Sequence, residues 1–148
     1  MEDGHVFYDW DPVAESWFKP DSIVIGRAYW FKHKYDEPVI FSNKDTTGYS
    51  VPLEPYEIKL HQGANLVGSP FSFPVRAKWN EGVSQPYKYG SDLKEGWADT
   101  NVFEPWAGYA VQSTSDSGKI TFYPIQDTTI AARTANSGWR LNLSLIHI

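Results

Sequence analysis

Gly108-Tyr109-Ala110-Val111-Gln112-Ser113-Thr114 puts Tyr109 and Val111 on one side of an extended chain and Gln112 and Thr114 on the other. Alternation with period two in such residues marks a half-buried strand. Eighty residues earlier, Ala28-Tyr29-Trp30-Phe31-Lys32-His33-Lys34 also opens with a small residue followed by Tyr, and continues in residues that favour pleated surfaces. Extending the comparison outward, an ungapped shift of 80 sets Val13 on Leu93, Glu15 on Glu95, Trp17 on Trp97, Phe31 on Val111 and Ile40 on Ile120. The correspondence covers residues 6–42 and 86–122 and predicts a structural repeat.

Each unit reads alike. Residues 6–9 and 87–89 are short β-prone segments, followed by polar turns at Asp11-Pro12 and at Gly90-Ser91-Asp92. Trp17 or Trp97 comes next, then a loop, then the strong strand at 28–34 or 108–114. A further strand is expected at 39–41 or 119–123. Ser115-Asp116-Ser117-Gly118 reads as a hairpin connection with Gly118 supplying a positive φ, and Tyr35-Asp36-Glu37-Pro38 takes that place in the first unit. Between the units, strands are expected at 57–60 and 64–67 around a turn at His61-Gln62-Gly63. Residues 71–75 run extended, with Phe71 and Phe73 as core plugs. Helix is scarce: 92–96 suits one turn, and 131–135 has no periodic apolar stripe.

The expected fold is all-β, two related antiparallel β units, sandwich-like or a partly closed barrel. Residues 1–50 form a first, N-terminally incomplete unit and 51–125 a second. Residues 126–148 form a linker, the start of a truncated next domain and a tail.

Composition narrows the function. With 13 Lys+Arg against 18 Asp+Glu and a net charge of -5, the chain lacks the cationic face of a phosphate-backbone binder, so no nucleic acid is expected as a partner. No apolar run reaches the ~18 residues of a membrane span, so no membrane insertion is expected. Zero Cys excludes disulfides, zinc–thiolate sites and Cys nucleophiles. His5, His33, His61 and His147 form no metal-binding pair, and Asp9, Asp11 and Glu15 read as turn acids before they read as calcium ligands. Glu15 and Glu95 share a repeat position, which points to a repeated structural duty rather than a glycosidase pair. Gly68-Ser69-Pro70 is no nucleophile elbow, and Gly63 with Gly68 makes no phosphate loop. No catalytic residue, metal or cofactor is expected.

Aromatic side chains are the conspicuous resource: seven Trp, nine Tyr and eight Phe. Burying such rings offers a cysteine-free β domain several kcal/mol each, at roughly 25 cal/mol per Å². Trp17, Trp97, Tyr29 and Tyr109 are expected in the core on that ground. The competing use is a sugar platform, for which Trp106, Trp10 and Trp79 are the candidates, with Tyr87 and Tyr89 beside them.

The stretch Ile58-Lys59-Leu60-His61-Gln62-Gly63-Ala64-Asn65-Leu66-Val67-Gly68-Ser69-Pro70 resembles a Gly-Trp-Asn-Leu-Ile-Gly-Asn-Pro phrase in β modules of large secreted or surface proteins of Bacteroidetes-like bacteria. Ala28-Tyr29-Trp30 and Gly108-Tyr109-Ala110 resemble the later Gly-Tyr-Trp phrase of those modules, and Trp139-Arg140-Leu141 resembles the start of a following domain. The sequence departs from the pattern at Ala64, Ala110 and Ala28. The C-terminal Leu143-Ser144-Leu145-Ile146-His147-Ile148 resembles a translated sequencing adapter, which implies a gene fragment whose native sequence stops near Asn142. The resemblance implies a non-catalytic β accessory or spacer module of an exported bacterial multidomain protein, secreted or at the cell surface, with neighbouring domains of the parent as partners. A carbohydrate-binding or adhesive module, with glycans as partners, is the alternative.

Overall fold

A computed structural model describes residues 4–34, 51–89 and 97–128 of the chain, with only the backbone described at 89 and 97–99. The fold is all-β; the described residues form eleven strands in three antiparallel sheets, none closed into a barrel. The strands are β1 (His5–Asp11), β2 (Ser16–Phe18), β3 (Trp30–His33), β4 (Tyr56–Lys59), β5 (Gly63–Gly68), β6 (Val75–Trp79), β7 (Tyr87–Tyr89), β8 (Trp97–Asp99), β9 (Val102–Phe103), β10 (Gly108–Ser113) and β11 (Lys119–Gln126). The first sheet has the order β2-β1-β3, the second β5-β10-β7-β8 and the third β4-β11-β6-β9.

The second and third sheets pack face to face. Val67, Tyr109 and Val111 from one meet Val75, Phe103, Ile120 and Phe122 from the other, with Leu60 and Phe71 closing the cluster. The period-two pattern of β10 decides which side chains enter: Tyr109, Val111 and Ser113 are buried while Gln112 is exposed. Phe103 is the keystone. Its ring centroid lies 4.4 Å from Tyr109 and 4.8 Å from Phe122, the latter edge to face, an arrangement that favours aromatic pairs. Phe71 and Phe73 do plug the interior, stacked at 5.5 Å, although the backbone bends there instead of running extended.

Three sequence expectations need correction. Residues 115–118 do not close a hairpin, because β10 lies in the second sheet and β11 in the third; the turn carries the chain across the sandwich. Gly118 is not among the positive-φ glycines. It is needed for space, since a Cβ there would collide with the Ser113 hydroxyl and come within 3.2 Å of Val83. Trp17 is not core: it is 49% exposed. The first sheet carries rings on both faces, Phe7 and Phe31 on one and Tyr8, Trp10, Trp17 and Trp30 on the other; Phe31 is buried, Phe7, Tyr8, Trp10 and Trp30 are half-buried, and Trp17 on the short outer strand is left exposed. Tyr109 is fully buried and Tyr29 half-buried. The expected turns at 35–38 and 92–96, the strand at 39–41 and residues 129–148 lie outside the described residues, as does the Trp97 side chain.

The first and second sheets share a local plan. β1 lies between β2 and β3, as β7 lies between β8 and β10. Trp10 pairs with Trp17 and Tyr8 with Trp30; Tyr89 pairs with Trp97 and Tyr87 with Ala110. The outer strands thus correspond at a shift of 80 (Trp17 to Trp97, Trp30 to Ala110) and the middle strands at 79 (Tyr8 to Tyr87, Trp10 to Tyr89). Six residues separate the partners Trp10 and Trp17, and seven separate Tyr89 and Trp97.

Candidate functional site

The first sheet meets the sandwich at a groove of about 420 Å³ lined by Trp10, Phe18, Arg27, Lys59, His61 and Leu66, among others. Its wall forms because residues just before β3 cross the edge of β5. Arg27 bridges Val67, and the Gly68 amide donates to the Gly26 carbonyl at 3.0 Å. Gly26 has φ 86, and a Cβ there would sit 2.9 Å from the end of Ile58, so glycine is required for both conformation and space. Ala28, Gly68 and Gly108 are small where these chains pass: a Cβ on Gly108 would approach that of Ala28 to 3.1 Å.

Polar groups at this junction bind one another. The Arg27 guanidinium lies 3.2 Å from the Asp9 carboxylate and donates to the Trp10 carbonyl, also at 3.2 Å. The Trp10 indole N–H donates to the Ala64 carbonyl of β5 at 2.9 Å. Asn65 staples the turn before β5, accepting from the His61 amide and donating to the His61 and Gly63 carbonyls. Asp11 accepts from the amides of Ala14 and Val13, which hold its carboxyl below the usual range and cap the turn into β2. Of Asp9, Asp11 and Glu15, the first is thereby engaged in an ion pair and the second in a turn. Among the described residues, no group of three or more His, Asp or Glu side chains is placed to hold a metal ion.

Burial raises the Asp9 carboxyl above its usual range, against the pull of Arg27 and the Trp10 amide. An acid whose folded-state pKa is raised contributes stability that is complete below its unfolded value, about 3.8, and is lost as pH rises through the folded value. Replacing Asp9 with Asn is therefore expected to remove a falling component of stability just above pH 3.8, read from denaturant midpoints between pH 3 and 7. Arg27→Met leaves the carboxylate buried without its cation. It is expected to cost about 1–3 kcal/mol at pH 7 and less at pH 3, where Asp9 protonates.

The five candidate platform residues are spread across the molecule. Trp10 is half-buried in the first sheet. Trp79 pairs with buried Ile120 and shares its inward face, so it packs at the rim of the core. Tyr87 is 36% exposed on β7, on the face of Ala110; Tyr89 follows on the same strand, its side chain outside the described residues. Trp106 is 72% exposed on the corner before β10 and has φ 62. A left-handed non-glycine residue costs roughly 1–2 kcal/mol. The rings that do gather are Trp10, Trp17 and Trp30, with centroids 5.2 and 6.3 Å apart and planes inclined at 64° and 71°. They form an edge-to-face cluster rather than a flat platform. Neither this cluster nor the Asp9–Arg27 pair was singled out from sequence. The alternation around Trp10 and Trp30 was the available signal for the first; the second joins residues 18 apart with no periodic cue.

Compared with protein-family models, with curated proteins and with solved structures, the chain matches none.

Proposed function

We propose that the chain is a non-catalytic β accessory or spacer module of an exported bacterial multidomain protein, built from two copies of one β unit held rigidly together. The observation that carries this reading is the junction: Gly26 and Arg27 extend onto β5 through backbone pairing, and Asp9, Arg27 and Trp10 lock the crossing with side-chain bonds. Buried polar groups invested in fixing one unit against the next serve orientation and spacing. The shared order and register of β2-β1-β3 and β8-β7-β10 support the duplication. Each unit also contains a tyrosine whose hydroxyl accepts from the amide five residues earlier, Val24 to Tyr29 at 2.8 Å and Glu104 to Tyr109 at 2.6 Å. The export assignment rests on the resemblance of residues 58–70.

Carbohydrate binding is the second reading, favoured by the exposed Trp17 ring beside Trp10 and Trp30. A glycan array separates the two. The spacer reading expects no glycan to be retained by the intact chain. A glycan bound by the parent and lost in Trp17→Ala or Trp106→Ala would replace it with the second.

A further inference from the structure

β4 is an edge strand whose open side is self-complementary. Among the described residues, β11 pairs with one side of β4 and no strand pairs with the other. The Leu60 amide donates to the Gly118 carbonyl, and an antiparallel ladder bonds alternate residues, so Ile58 and Tyr56 also give their backbone groups to β11. Glu57 and Lys59 therefore turn their N–H and C=O groups outward. The open ladder ends on either side of them: Pro55 has no N–H, and the His61 amide is taken by the Asn65 side chain at 3.0 Å.

Charged side chains commonly blunt such an edge, but those of β4 are unbalanced within the chain. Glu57 and Lys59 share its exposed face. Lys59 stands directly opposite Lys119 of β11, a like-charge pair that destabilises a sheet. Lys119 has Glu57 at 3.1 Å, whereas among the described residues Lys59 has no carboxylate partner. Three antiparallel registers use the outward backbone groups of residues 57 and 59. One sets Glu57 against Glu57 and another Lys59 against Lys59, so both oppose like charges. The third turns about a two-fold axis at Ile58 and sets Glu57 against Lys59 on both sides of it. Both pairs then exchange their N–H···O bonds, and each Lys59 gains the carboxylate it lacks. The surroundings leave room and offer apolar contact. The junction groove opens against Ile58, Lys59 and Leu60. The Tyr56 hydroxyl donates to the Ile25 carbonyl at 3.3 Å, which brings the exposed run Ile23-Val24-Ile25 alongside the strand, and Leu53, 74% exposed, stands just before it. Exposed aliphatic side chains beside an open edge mark a contact surface.

We propose that two copies of this chain associate through β4, antiparallel about Ile58, so that their third sheets join into one continuous sheet. The occupant of the edge is a second copy, selected by the Glu57–Lys59 complementarity. This surface is separate from the junction on which the spacer reading rests.

Sedimentation velocity of the full chain across the micromolar range is expected to show a monomer–dimer equilibrium. Lys59→Glu is expected to weaken it at least ~10-fold, because Glu then faces Glu at both pairs. The same substitution puts a carboxylate opposite Lys119, which relieves the like-charge pair and spares the fold. Glu57→Lys is expected to weaken association to a similar extent. An equimolar mixture of the two variants is expected to recover it, since every Glu of one then meets a Lys of the other. Hydrogen exchange of the unsubstituted chain reads the backbone: the amides of Glu57 and Lys59 are expected to gain at least ~10-fold protection from dilute to concentrated solution. A chain that stays monomeric overturns the proposal, and so does an edge filled by an extended peptide of another protein in place of a second copy. Association that survives Lys59→Glu, a mixture that does not recover it, or unchanged exchange at Glu57 and Lys59 overturns it as well. Failure here leaves the Gly26–Val67 coupling standing, since that is tested by substitution at Gly26.

Discussion

Phe103→Ala is expected to lower the stability of the sandwich by about 3–5 kcal/mol. Phe103 is fully buried and touches the rings of Tyr109 and Phe122, one from each sheet. Truncation removes transfer free energy and leaves a cavity where β9 of the third sheet packs against the second. Backbone pairing of β9 with β6 holds the site open, which limits collapse. The expected fall in Tm is on the order of 10–20 °C for a domain of this size, read by calorimetry. Trp106→Gly is the matched opposite. It deletes an even larger ring, yet relieves a left-handed tryptophan, and its expected effect on the sandwich lies within about 1 kcal/mol of zero. Equal losses from the two substitutions would contradict the placement of the core.

Gly26→Val is expected to separate the first sheet from the second while sparing the sandwich. A β-branched residue at φ 86 is strained, and its Cβ meets Ile58 at 2.9 Å and Tyr56 at 3.1 Å. Strain and overpacking together come to about 3 kcal/mol. That is more than a hundredfold in the equilibrium between docked and undocked sheets. Hydrogen exchange reads it: the Gly68 amide and the Trp10 indole N–H, which bond to Gly26 and Ala64 across the junction, lose protection, while the amides of β10 and β11 keep theirs. Uniform loss across all three sheets would show that the junction belongs to the core rather than linking two units.

Local alternation was enough to find β10, and it placed Tyr109 and Val111 inward correctly, because a strand buried on one face writes its orientation into its residues. β6 carried the same signal in Val75-Arg76-Ala77-Lys78-Trp79 and was passed over, its short apolar members giving little contrast beside neighbouring phenylalanines. The step between sheets at residues 115–118 was illegible for a different reason. Turn residues dictate backbone direction over a few positions, and nothing in them says whether the next strand pairs with the last or crosses to the opposite layer. Trp17 shows the limit of counting rings: its sheet presents aromatics on both faces, and their number alone does not say which of them is buried. The need for glycine at 118 arises from Ser113, a neighbour that the turn itself brings back. The groove depends on Arg27 reaching Asp9 and Val67 together, and no spacing rule anticipates a contact made by a crossing chain.

Residual dipolar couplings of backbone amides test the rigid coupling of the two units most directly. The couplings of β1, β2 and β3 and those of β4 through β11 are expected to fit one alignment tensor, in magnitude and in orientation. Two tensors, with weaker alignment for the first sheet, would mean that the sheets move independently and that the junction of Gly26, Arg27 and β5 fixes nothing.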